Sequence, residues 1–294
     1  PYIAFGKIAL LAGEPGAGKS TLGIAIAAQA TVGNLPPDLI DGQLQMVRTV
    51  KPMTVAYLTT ENTLSDMTHK DFLDNGGDSE RIFYLAEYAS TISRDSYGDS
   101  YVEHLDDNYG DNAGGHFDDN YSDNAGAHFG ENLIRTHEKT GAQLIIIDPF
   151  QQFLPPNISI TNRDQIWPVI AEIDRAASET GCAILLIHNL NMAAATNEVS
   201  CPSYPSSPSS PSNPSAELTC VQRSVSDESA VFSILYATRN KNTNERFVQA
   251  VKSNSKEADY TKLKVIRDKH YKLHYEVCSE ETGFTQRDWQ SQRS

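Results

Sequence analysis

The stretch Gly13-Glu14-Pro15-Gly16-Ala17-Gly18-Lys19-Ser20 has residue types and spacing that bind phosphate. It satisfies G-x-x-x-x-G-K-[ST], the phosphate-binding loop, without a mismatch. Glycines let the backbone bend until successive N–H groups converge on phosphate oxygens. Lys19 adds a point charge to the same oxygens, and the Ser20 hydroxyl can hold Mg²⁺. With Thr21, these residues form the expected nucleotide contacts.

Three further residues stand where apolar runs end. Asp148 follows Leu144-Ile145-Ile146-Ile147, about 130 residues after the loop, and could meet Ser20 at the Mg²⁺, directly or through water. Glu61 follows Val55-Ala56-Tyr57-Leu58-Thr59-Thr60 and could take a proton from the water attacking a γ-phosphate; a solvated loop glutamate is the plainer alternative. His188 closes Cys182-Ala183-Ile184-Leu185-Leu186-Ile187 and could hydrogen-bond the γ-phosphate or that water, or be an ordinary core histidine.

The elements that must carry these residues are legible in outline. Ile8–Ala12 reads as the strand entering the loop, and Lys19–Ala30 as an apolar helix leaving it, its positive end toward the nucleotide. Asn34 to Pro52 reads as a polar loop, Leu64–Asp74 as a helix stopped by Gly76-Gly77, and Arg81–Leu85 as a short strand. Glu131–Thr140 and Asp164–Thr180 read as helices. Continuous apolar strands such as 144–147 and 182–187 belong to a parallel sheet buried on both faces. Beyond residue 220, Ala230–Thr238, Arg246–Lys252, Lys262–Arg267 and Lys272–Cys278 read as antiparallel hairpins extending one sheet edge.

Two segments stand apart. Tyr97 to Asn132 holds three twelve-residue repeats, each with a histidine at the same place: His104, His116 and His128. Their Asp/Asn spacing departs from the calcium loop, so residues 95–132 are expected to be an acidic insertion without a ligand. Residues 197–219 include a Ser/Pro tract that can form neither helix nor ladder. The expectation is a single domain over 1–294 with these two inserts.

Formal charge is −14, but Asp95 to Glu131 contains ten acids and no Lys or Arg, leaving −4 for the rest. The acidity therefore does not describe the folded part. The four cysteines (182, 201, 220 and 278) lack any C-x-x-C spacing, which argues against a zinc site or disulfide framework and fits a cytoplasmic protein. No apolar run has the length of a membrane span.

The order of phosphate loop, strand-end Glu61, strand-end Asp148 and strand-end His188 resembles the RecA-like ATPases. The wording of Tyr57-Leu58-Thr59-Thr60-Glu61-Asn62, Asp148-Pro149-Phe150 and His188-Asn189-Leu190-Asn191 is similar to the RepA-type hexameric replicative helicases and their AAA-family relatives. The resemblance implies a three-layer αβα fold with a mostly parallel central sheet, extended by antiparallel C-terminal strands. It implies ATP and Mg²⁺ as ligands, Glu61 as base, Asp148 as metal-site acid and His188 as γ-phosphate sensor. It also implies a homo-oligomeric ring, a hexamer, acting on single-stranded DNA, with basic fingers reaching a neighbour's ATP. Arg223 and Lys252 stand where those fingers are expected, with Arg239 as a third candidate; no arginine is expected to serve the loop of its own chain. The usual lysine after the sensor strand is missing, as is the arginine of the Lys-x-Arg finger pattern at Lys252-Ser253-Asn254. Two alternatives share the core: a filament-forming strand-exchange ATPase, and an ATP-dependent switch that never touches DNA.

Overall fold

The structure, a computed structural model, describes residues 3–34, 38–40, 43–45, 51–59, 64–85, 127–154, 158–160, 162–190, 230–254 and 262–278. Glu61, Arg223, His104, His116 and the Ser/Pro tract lie outside these residues.

Nine strands form one sheet in the order β11-β10-β9-β8-β1-β7-β6-β4-β5. Its centre is β1 (Ile8–Gly13), β7 (Ala183–Asn189), β6 (Leu144–Asp148) and β4 (Val55–Thr59), all parallel, with β5 (Ile82–Leu85) at the edge. These strands are apolar up to their carboxyl ends because both faces are covered. Ile8, Leu10, Ile145, Ile147, Ile184 and Leu186 pack under α3 (Ala127–Thr140) and α4 (Arg163–Thr180). The alternate residues Ala9, Leu11, Leu144, Ile146, Leu185 and Ile187 meet α1 (Lys19–Thr31), with Phe72 of α2 (Leu64–Asp74) in the same cluster. The result is the three-layer αβα sandwich that the sequence implied.

The other edge holds β8 (Val231–Arg239), β9 (Arg246–Ser253), β10 (Lys262–Arg267) and β11 (Leu273–Val277). The pairings among these four are antiparallel, as expected, but β8 joins β1 in parallel. This outer hairpin layer is clasped to α2. Arg267 pairs with Asp71, Tyr271 lies between Lys70 at 4.6 Å and Arg267 at 4.7 Å, and the Leu273 N–H donates to Oδ1 of buried Asn75 at 3.0 Å.

Two expectations need correction. The polar loop after α1 contains a small hairpin, β2 (Asp38–Ile40) with β3 (Gln43–Gln45). The overlooked signal is the dipeptide Asp41-Gly42 between two short runs, a sequence pattern that marks hairpins. The acidic insertion also ends earlier than expected. Helix α3 begins at Ala127, inside the third repeat, and Phe129 is buried with its ring 5.9 Å from that of Phe150. An apolar side chain at core spacing outweighs the polar composition around it.

Candidate nucleotide site

The phosphate loop joins β1 to α1 at the carboxyl edge of the sheet, where β1 stands between β7 and β8. Crevices of this kind hold ligands in open parallel sheets. Gly13 is fixed by close approach, since a Cβ there would lie 2.2 Å from the carbonyl oxygen of Ala237. Gly18 caps α1 in the left-handed region at φ 87°, with no side-chain cap on the helix. The first-turn N–H groups of α1 therefore keep their donors for an anion.

Lys19 is folded onto its own loop. Its Nζ donates to the carbonyls of Gly13 at 2.9 Å and Glu14 at 2.8 Å, and the side chain is buried. Burial lowers its pKa to about 8, against the opposing pull of Asp148 and then Glu14. A triphosphate would offer the ammonium stronger, charge-assisted partners than these carbonyls.

Asp148 ends β6 on the face that carries Ile146, the face covered by α1. It is buried, and its Oδ2 accepts a 2.6 Å hydrogen bond from the phenol of Tyr57 on β4. Ser20, exposed in the first turn of α1, supplies a hydroxyl on the helix that covers this face of the sheet. A hydroxyl and a carboxylate are hard oxygen donors, a set that suits Mg²⁺. The register pairs Thr59, the last residue of β4, with Asp148, so the chain leading to Glu61 departs from the same edge.

His188 sits apart from this group. It lies opposite Ala12 on β1 and points with Ile184 and Leu186 to the α3–α4 face. Its Nδ1 lies 2.8 Å from Oε1 of Gln151, and that oxygen also accepts the Asn189 N–H at 3.2 Å. The main-chain donor fixes the amide oxygen, and the oxygen in turn requires a proton on Nδ1. Nε2 is left as a lone-pair acceptor, buried and without a partner. Burial, and then the charge of Lys19, lower the imidazole pKa to about 4, so it is neutral. A neutral acceptor can receive a hydrogen bond from water, whereas a phosphate oxygen needs a donor. Sequence reasoning missed both Gln151 and Tyr57, since each contact crosses to a neighbouring strand end.

Lys252 is not brought to the loop. It pairs with Ile234 near the far end of the hairpin, and its Nζ donates to the Val231 carbonyl at 2.9 Å. Two other cations are beside the loop in the same chain. Arg239 Nη1 lies 3.4 Å from where a Cβ on Gly16 would be, and Arg246 Cδ lies 2.8 Å from the corresponding point on Gly18. This corrects the expectation that the loop has no arginine of its own. A narrow pocket opens beside them, between Thr21 and Leu22 of α1 and Val248, Val265 and Leu273 of the outer strands.

A family model described as "AAA domain" matches residues 1–195, which include the loop, Asp148 and His188. The chain belongs to the AAA domain family. Among solved structures, this AAA domain protein is similar to the flagellar accessory protein FlaH of Methanocaldococcus jannaschii. Identity is 14% and the TM-score is 0.50, over 94% of this chain and 92% of that one. It is also similar to a KaiC-like protein of Pyrococcus horikoshii, at 13% identity and a TM-score of 0.48, over 94% and 90% of the two chains. At 14% identity the likeness to FlaH speaks for the fold alone, an αβα sandwich. No curated protein matches the sequence. Among the described residues no helix is long and apolar enough to cross a membrane, and no three acids, histidines or cysteines gather as a metal cluster.

Proposed function

We propose that this AAA domain protein is an ATP-hydrolysing RecA-like motor that works on single-stranded DNA as a ring, in the manner of a replicative helicase. One observation carries the ATPase part: α1, which Lys19 and Ser20 open, covers the face of the sheet where Tyr57 holds the Asp148 carboxylate. Lys19 exchanges its loop carbonyls for the phosphates. Ser20 and Asp148 would hold Mg²⁺, which when bound neutralises charge on the phosphate oxygens. Glu61, just beyond β4, takes the proton of the attacking water, and the lone pair at His188 Nε2 suits it to hold water on the opposite face.

The DNA part is supported by the order and wording of the four motifs. It is tested by the ATPase rate with and without single-stranded DNA at two salt concentrations, alongside a mass measurement with ATP. Stimulation that weakens with salt is the expected result, because phosphate contacts release counterions. A nucleotide switch that does not bind DNA is the second reading. It is favoured by Arg239 and Arg246, which make the site less dependent on a neighbour. An unstimulated ATPase of constant mass would decide for it.

A further inference from the structure

Arg239 and Arg246 are the last register pair of the β8–β9 hairpin before its turn. Residues directly opposite on neighbouring strands share a face, and like charges so placed repel each other. Among the described residues no ion pair with a carboxylate relieves them. Glu245, next in the chain, is bound to Lys264 at 2.6 Å, and Arg239 Nε donates to the neutral amide of Asn244. Arg246 Nε is buried and has no partner. The two side chains lie against different glycines of the phosphate loop, the Arg239 guanidinium against Gly16 and the Arg246 stem and Nε against Gly18. Two unneutralised cations facing each other over a loop shaped for anions lack one thing, a polyanion between them.

We propose that Arg239 and Arg246 grip the polyphosphate chain of a nucleoside triphosphate bound in their own chain's loop. Their charge then serves the site in cis, where the sequence led us to expect a neighbour's finger. The inference rests on the loop being an ATP site and is independent of the ring. The fold makes the arrangement economical. β8 pairs with β1 so that Ala237 abuts Gly13, and the two residues beyond Ala237 carry the strand past the loop to Arg239. The turn that returns the chain to Arg246 is internally tied, with the Asn240 side chain accepting from the N–H groups of Asn242 and Thr243. The pair is held in place before any ligand arrives.

The test uses the whole chain in three forms: wild type, Arg239→Ala/Arg246→Ala and Arg239→Lys/Arg246→Lys. ATP binding is followed by calorimetry and turnover by phosphate release. The alanine pair is expected to lose about ten- to a hundredfold in ATP affinity or kcat/KM, the scale of lost charged hydrogen bonds. The lysine pair should recover part of it, because charge returns without the fork. Mixing the alanine pair with Lys19→Ala protein should restore nothing, since neither chain has a complete cis site. Arg239 is exposed, so Arg239→Ala alone decides if the double variant melts well below wild type. Wild-type affinity and turnover in that variant, or recovery on mixing, overturns the cis assignment while leaving the ATP site standing. Wild-type protein that binds no ATP overturns both.

Discussion

The phenol of Tyr57 donates a 2.6 Å hydrogen bond to Oδ2 of Asp148, across from β4 to the end of β6. Tyr57 is itself opposite Ile146, so the contact runs diagonally along the shared face. It holds the carboxylate in one orientation before any cation is present, as outer partners of metal ligands commonly do. Tyr57→Phe keeps the ring in the core and removes only the donor. The Mg²⁺ concentration for half-maximal ATPase should rise by about ten- to a hundredfold. An unchanged Mg²⁺ midpoint in a folded variant would show that the phenol has no part in the site.

Affinity for ATP should depend on alkaline pH through Lys19. Burial in the loop lowers its pKa to about 8, so above that pH the ammonium must regain a proton to meet a phosphate. The apparent Kd should be level below pH 8 and weaken by about tenfold per pH unit above it, with proton uptake on binding. Calorimetry in buffers of different ionisation enthalpy reads the uptake directly. Binding without proton exchange near pH 9 would contradict the buried, depressed lysine.

His188 should make the fold acid-sensitive. The native imidazole stays neutral down to about 4, while an unfolded histidine takes its proton near 6.5. Between those values the unfolded chain holds more protons, so stability falls as pH falls through the window. The loss attributable to His188 approaches about 3 kcal/mol at the acid end. His188→Asn removes this component. Urea melts at neutral pH and at about pH 4.5 should therefore differ less for the variant than for wild type. Equal differences would place a proton on the native ring.

The boundary of the acidic repeats can be located by deletion. Removing residues 97–126 should leave melting temperature and basal ATPase nearly unchanged, because that composition buries little. Extending the deletion through Gly130 also removes Phe129, 2% exposed, and should cost on the order of 3–5 kcal/mol. Equal melting of the two deletions would show that the first turn of α3 carries no core.

Glu61→Gln should bind ATP like wild type and lose turnover, since the shape survives and the proton acceptor does not. Equilibrium binding and phosphate release on the same preparation separate the two. Normal turnover would remove Glu61 from the chemistry.

How far these features could be read from residues alone follows from their range. β1, β6 and β7 were plain because burial on both faces keeps polar residues out until the strand ends. The phosphate loop was plain because its function constrains consecutive residues. Arg246 was not, although Arg239 was a candidate. Their relation depends on the register of a hairpin whose turn, 240–245, offers several places to reverse. Tyr57 and Gln151 were hidden for a similar reason, since sequence shows which residues end a strand but not which strands become neighbours. The start of α3 was obscured by a repeat whose frame runs on into the helix.

The clasp between the outer hairpin and α2 has a mechanical meaning. Val265 and Leu273 wall the pocket beside the loop, while Arg267 and the Leu273 N–H are fastened to Asp71 and Asn75. Hairpin and helix thus form one beam, with the pocket against its side. The beam's other end is Leu64, three residues after Glu61. Anything wedged into the pocket that pushes the hairpin outward therefore draws on α2 as well, so the two elements must yield together.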